Sequence, residues 1–144
     1  MGSGSRLAAF DSSTGAEEWR TDLERPIVNA SPLVTADRGP ADRAFITDYD
    51  GFGSAARLYC INIDPSDPVA NPFEPGEIVW SAPVGSAAGA TPAYADGLVH
   101  VALPAIGGYG AGRILAFDAA GGGDPLWEFT NIKGVGFHGG VCIT

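Results

Sequence analysis

An all-β fold assembled from repeated short strands is what this sequence predicts, and three observations carry the prediction. A short phrase recurs three times. The copies are Leu7-Ala8-Ala9-Phe10-Asp11 running to Gly15 and Trp19, Leu58-Tyr59-Cys60-Ile61-Asn62 running to Gly76 and Trp80, and Ile114-Leu115-Ala116-Phe117-Asp118 running to Gly123 and Trp127. Every tryptophan of the chain lies in a copy, four residues after a glycine. The 21 glycines and 11 prolines punctuate apolar runs of strand length, the pattern of many tight turns and not of disorder. No stretch carries the apolar period of a capped helix. A repeat at this spacing means a modular array, and an array of strands means a propeller or a solenoid.

Aligned on the phrase, each unit reads as four runs. Run A is Ser31-Pro32-Leu33-Val34 and Thr91-Pro92-Ala93-Tyr94, and run B is 43–47 and 97–102. Run C is the phrase itself, and run D ends near the tryptophan. In run C successive side chains face opposite sides of the sheet, and the small alanines let neighbouring sheets approach. Asp11 and Asp118 end the strand and accept hydrogen bonds from the N–H groups of the turn. Gly15, Gly76 and Gly123 supply the positive φ at which the hairpin closes. Trp19, Trp80 and Trp127 are large flat anchors with one N–H to satisfy, and stacked units bury one such ring at each interface.

The units divide the chain into a partial blade (1–23), a blade carrying an insertion at 64–75 (24–84), a blade (85–132), and an inner strand of the next blade (133–144). Trp19 and Trp80 are 80 − 19 = 61 positions apart, against 127 − 80 = 47 for Trp80 and Trp127. The proline-rich stretch from Asp64 to Pro75 holds most of the excess, and an insertion between strands of a repeat belongs on an exposed loop. Met1-Gly2-Ser3-Gly4-Ser5 has no basic segment followed by an apolar one, so no signal peptide is read there.

Charge narrows the partners. The formal net charge is −9 and Lys133 is the only lysine, so the chain lacks the clustered cations that bind phosphate backbones, and no nucleic-acid partner is expected. No apolar run approaches the roughly 18–20 residues of a membrane span. Cys60 and Cys142 form no CxxC, and each lies in an apolar strand-like run, which reads as a free thiol.

Candidate chemistry is sparse. Asp48-Tyr49-Asp50-Gly51 resembles the start of a calcium loop but lacks its further oxygens, so it reads as a hairpin turn. Gly107-Gly108-Tyr109-Gly110-Ala111-Gly112 joins two strands and reads as a loop. His100 lies within run B as a packed histidine. His138, within Gly136-Phe137-His138-Gly139-Gly140, begins an inner strand and is a candidate channel-facing site. No nucleophile triad, phosphate-cradling loop or paired-carboxylate motif is present, so no catalytic residue, metal or cofactor is expected.

The sequences Ala9-Phe10-Asp11…Gly15…Trp19, Ala116-Phe117-Asp118…Gly123…Trp127 and the looser Cys60-Ile61-Asn62…Gly76…Trp80 resemble the repeat of the quinoprotein-like β-propellers. That family contains pyrroloquinoline-quinone dehydrogenases and cofactor-free relatives, and the resemblance covers nearly the whole chain. It implies a β-propeller segment of about three four-stranded blades, either an incomplete ring or one closed by self-association. Rings of this kind close with about seven or eight blades. In the family the glycine and tryptophan dock adjacent blades, which implies a structural role for Asp11, Gly15, Trp19, Gly76, Trp80, Asp118, Gly123 and Trp127. Cys60, Asn62 and the insertion depart from the repeat, implying a less regular interface there. The quinone-dependent members use adjacent cysteines, acidic residues and calcium near the axis, and Cys60 and Cys142 do not match.

The resemblance thus implies a non-catalytic scaffold or protein-interaction module. The alternative is a fragment of a quinone-dependent alcohol or sugar dehydrogenase whose site lies outside this chain. The expected partner is protein, another copy or the remainder of a longer propeller, meeting the chain at 64–75 and 137–140. In a head-to-tail route, the last strand of one chain joins the first strands of another. The family's usual compartment implies a periplasmic or extracellular setting.

Overall fold

Each run of the two complete units becomes one strand, and each of these units becomes one sheet. A computed structural model describes residues 5–35, 41–51, 53–85, 89–105, 110–137 and 139–143. Sheet 1 is a hairpin of β1 (Arg6–Phe10) and β2 (Glu17–Asp22). Sheet 2 is an antiparallel meander of β3 (Leu33–Thr35), β4 (Arg43–Thr47), β5 (Arg57–Asn62) and β6 (Ile78–Pro83). Sheet 3 repeats it with β7 (Ala93–Ala95), β8 (Leu98–Leu103), β9 (Arg113–Asp118) and β10 (Gly122–Thr130). Among the described residues there is no helix. β3 meets β7 and β6 meets β10, so the sheets stand side by side with first strand to first strand and last to last. This is part of a propeller, with no ring closure.

Strand alternation sends each sheet's side chains to two different neighbours. In sheet 2, Ala44, Ile46, Tyr59 and Ile61 pack towards sheet 1, with Leu7, Trp19 and Leu23. Phe45, Leu58 and Cys60 face the other way, against Val99, Val101, Leu115 and Phe117 of sheet 3. Sheet 2 is therefore apolar on both faces, and burying each such large side chain contributes about 1.5–3 kcal/mol. Cys60, one of the departures from the repeat, is fully buried in this layer.

Turn chemistry fixes the hairpins. Asp96 (φ 49°) and Gly97 (φ 81°) form a two-residue connection between β7 and β8 with both φ values positive, the backbone that suits the twist of a hairpin. The β1–β2 and β5–β6 ladders each shift register at the equivalent step, Ala9/Phe10 and Cys60/Ile61. The β9–β10 ladder shifts between Gly122 and Trp127.

The 64–75 insertion has an exposed tip and a tied base. The Asn62 amide donates to the carbonyls of Asp64 (2.6 Å) and Phe73 (2.7 Å). Buried Asn71 donates to Asn62 Oδ1 (3.1 Å) and to the Pro65 carbonyl (3.0 Å), and Arg43 donates to Asn71 Oδ1 (3.1 Å). At the other end of the chain, the Gly112 N–H donates to Val135 O (3.0 Å) and the Phe137 N–H to Leu103 O (3.2 Å). The described part of 133–144 lies against sheet 3 and pairs with no strand.

Candidate functional site

The residues singled out by the repeat assemble into a relay that runs from sheet to sheet. Asp11 closes the first turn by accepting from the N–H and hydroxyl of both Ser13 and Thr14, at 2.6–3.0 Å. Those bonds hold its pKa down at about 2, since each favours the ionised form. Gly15 follows at φ 71°, its N–H returning to Asp11 O (2.8 Å). In the second copy the Gly76 N–H returns to Asn62 O (2.8 Å) in the same way, at φ 84°. Asp118 accepts from the Ala120 N–H (2.9 Å).

Trp19 and Trp80 each lie on the turn glycine of the following sheet. A β-carbon placed on Gly76 would fall 3.0 Å from Trp19 Cε3, and one on Gly122 would fall 2.5 Å from Trp80 Cδ2. Trp80 also donates its indole N–H to Ala119 O (3.1 Å), and Thr21, two residues beyond Trp19, donates its hydroxyl to Gly76 O. The third-copy contact falls on Gly122, not on Gly123, around which a β-carbon would meet nothing within 4 Å. Counting forward from the aspartate finds the right glycine, because Asp11–Gly15 and Asp118–Gly122 are both four apart. Counting back from the tryptophan misses it, because the third copy carries one residue more between glycine and ring.

Trp127 and Gly15 are left at the two ends of the relay. Trp127 is 43 % exposed and tilts against His100, their ring centroids 5.4 Å apart at 49°. The seated ring Trp80 holds Phe45 in nearly the same way, at 5.8 Å and 50°. His100 is buried, with a bond to the Ala93 backbone and no partner for Nδ1 among the described residues. Burial holds its pKa below the usual histidine value.

Other candidates separate. Asp48 is buried and accepts from the Arg57 N–H (2.7 Å) and the Tyr59 hydroxyl (2.8 Å), and burial raises the pKa of both Asp48 and Tyr59. With Asp50 accepting from the Ala55 N–H, the Asp48–Gly51 stretch holds the β4–β5 connection together. His138 and Gly107–Tyr109 lie outside the described residues. Cys60 is buried between sheets 2 and 3 and Cys142 is exposed, both as free thiols. Among the described residues no group of three His, Cys, Asp or Glu side chains is placed to hold a metal. Sequence reasoning missed a groove of about 250 Å³ beside β1, lined by Leu7, Ala8, Trp19, Val34, Ala44 and Ile63. It arises where the outer edge of β1 pairs with no strand among the described residues.

Stacked four-stranded meanders joined by this relay define the protein as a β-propeller segment. No protein-family model matches the chain, and no curated protein matches it in sequence. Among solved structures it is similar to a europium-containing methanol dehydrogenase, with a TM-score of 0.60 and 17 % sequence identity. The match covers 87 % of this chain and 21 % of that one, so the chain spans about a fifth of that protein's length. At this identity the likeness is one of fold alone. Among the described residues no helix is long and apolar enough to cross a membrane.

Proposed function

We propose that the chain is a non-catalytic propeller scaffold or protein-interaction module whose two open sheet faces bind further protein. In this reading 1–23, 24–84 and 85–132 are successive blades, 133–144 begins the next, and the tryptophans with Gly15, Gly76 and Gly122 dock them. One observation carries it: Trp127 stands exposed on the outer face of sheet 3, where the equivalent Trp80 is seated on a neighbouring blade. Large exposed apolar faces rimmed by polar residues are interaction surfaces. By family resemblance the setting is periplasmic or extracellular.

The likeness to a methanol dehydrogenase favours a second reading, a fragment of a quinone-dependent dehydrogenase whose catalytic site lies outside this chain. One titration of this chain tests the scaffold reading. With pyrroloquinoline quinone and calcium added, the scaffold reading expects no shift in quinone absorbance and no dye reduction with alcohols or sugars. Quinone-dependent turnover by this chain overturns it.

A further inference from the structure

We infer that His100 is a proton-sensitive joint in sheet 3: taking up a proton breaks its stack with Trp127 and loosens β10, while the corresponding stack in sheet 2 ignores pH. The device lies within one sheet and does not depend on what covers that sheet, so it stands apart from the scaffold reading.

The repeat supplies the comparison. In sheet 2 the register runs Phe45–Cys60–Trp80 across β4, β5 and β6. In sheet 3 it runs His100–Ala116–Trp127 across β8, β9 and β10. Phe45 and His100 therefore hold the same place, two strands in from the tryptophan with a small residue between. The ring pairs match as well. Phe45 and Trp80 have centroids 5.8 Å apart at 50°, and His100 and Trp127 have theirs 5.4 Å apart at 49°. The third unit keeps the geometry of the joint and exchanges an inert ring for one that titrates near neutral pH.

The surroundings suit only the neutral ring. His100 is 4 % exposed, one ring nitrogen bonds the Ala93 backbone, and Nδ1 has no partner among the described residues. A second proton would go on Nδ1 and leave a charged, buried donor with nothing to accept it. By strand alternation β7 turns Ala93 to that face, β10 Trp127 and Phe129, and β9 Ala116 and Asp118. Asp118 is the one ionisable group among them. It pairs with Leu98 and not with His100, and its Oδ1 accepts from the Ala120 N–H (2.9 Å). Asp124 is exposed within the register shift of β10, and Glu128 pairs with Arg113 on the opposite face. The Trp127 ring offers a cation some attraction, yet it leaves the Nδ1 proton without an acceptor.

Burial accordingly holds the His100 pKa below the ordinary 6.5. A depressed histidine pKa means that the folded protein takes up this proton later than the unfolded chain does. The stabilisation is complete above about pH 6.5 and is lost as pH falls through the folded value.

The full 144-residue chain, labelled with 5-fluorotryptophan, tests this. Its histidines are followed by proton NMR and its indoles by fluorine NMR, from about pH 8 to about pH 5. His100→Phe identifies the His100 signal, and Trp127→Phe identifies the Trp127 signal. His100 should titrate below 6.5, the Trp127 resonance should move with the same midpoint, and the other two indoles should not follow it. His100→Phe, which installs the ring of sheet 2, should abolish the Trp127 shift. Between about pH 7.5 and pH 5 its folding constant in urea should also gain at least about threefold on that of wild type. Asp48, whose pKa burial raises, titrates in both proteins and cancels in that comparison. If His100→Phe does not fold, His100→Leu replaces it, and the wild-type titration decides by itself. A His100 that titrates at or above 6.5, a Trp127 resonance that ignores it, or a shift that survives its replacement overturns the inference.

Discussion

Trp80 lies on Gly122 so closely that a β-carbon there would fall 2.5 Å from Cδ2 and 2.7 Å from Cε3 of the indole. Two separate demands meet at this glycine. Its φ of 64° is a backbone that side chains disfavour, and the ring above it leaves no room for one. The ring cannot withdraw cheaply, since its N–H is bonded to Ala119 O and its far side packs on Phe45. The contact therefore sets both the spacing and the orientation of sheets 2 and 3.

Gly122→Ala and Gly123→Ala separate the two demands. Both positions have positive φ, 64° and 81°, so both variants carry a backbone cost of about 1–2 kcal/mol. Only Gly122→Ala adds overlap with Trp80, about 1–3 kcal/mol more. Urea unfolding should rank Gly122→Ala clearly below Gly123→Ala. Equal midpoints would mean that the ring moves aside freely.

The seated and unseated rings should likewise part company. Trp80→Ala opens a hole in the layer between sheets 2 and 3 and removes the donor to Ala119 O, costing about 3 kcal/mol or more. Trp127→Ala removes a ring with an exposed face, and it should cost about 1 kcal/mol or less. Similar losses in the two variants would show that Trp127 is covered within one copy.

Which parts of this arrangement were legible beforehand follows from how local their causes are. The four runs per unit were readable because apolar alternation and Gly/Pro punctuation are properties of neighbouring residues, and each run became a strand. Gly122 was not, because the four-residue spacing of glycine and tryptophan points to Gly123 and a one-residue irregularity lies between Gly122 and Trp127. The Asp96-Gly97 hairpin has a local cause of the same kind, Asp-Gly between two apolar runs. The groove beside β1 comes from Leu7, Val34 and Ile63, which are far apart in sequence and meet only when sheets 1 and 2 pack. Asn62 reads in sequence as an imperfect copy of an aspartate, and only its bonds to the Asp64 and Phe73 carbonyls, at the two ends of the insertion, show what the amide is for.

The Asp11 turn gives the chain an acid-sensitive element. Its folded pKa of about 2 lies below the ordinary 3.8, so its contribution is present above about pH 4 and is lost as pH falls towards 2. Asp11→Asn lacks the charge at every pH. The variant should melt lower than wild type at pH 7, and the gap should close between about pH 4 and pH 2. A gap that is constant across this window would mean that the ionised form is not what the Ser13 and Thr14 donors favour.

The two thiols should report the layer between sheets 2 and 3. Burial pushes the Cys60 thiol up to about 12, only partly offset by the charge of Arg43, while Cys142 is exposed. The thiolate is the reacting form, so a disulfide reagent at pH 8 should label one thiol per native chain quickly. The second should react only as the chain unfolds, at the rate at which that layer opens. Two fast thiols in the native protein would show the layer to be open in solution.

Restoring the repeat at Asn62 should harm the protein. An aspartate there would match Asp11 and Asp118 in sequence, but the two other copies carry no insertion after the strand. Asn62 is fully buried, and its amide donates to Asp64 O and Phe73 O, the two ends of the inserted loop. A carboxylate has no proton to give and would set a charged oxygen against both carbonyls. Arg43, which donates to Asn62 Oδ1, offsets the charge but cannot supply the lost donors. Leaving half-buried carbonyls unpaired and facing a carboxylate costs about 1–2 kcal/mol each, so Asn62→Asp should destabilise the chain by about 2–4 kcal/mol in urea. Because the loop's base is what fails, limited proteolysis near the exposed Val69 should also speed up, well before global unfolding. An Asn62→Asp protein with unchanged stability and unchanged cleavage would show that Asn71 and Arg43 hold the insertion without it.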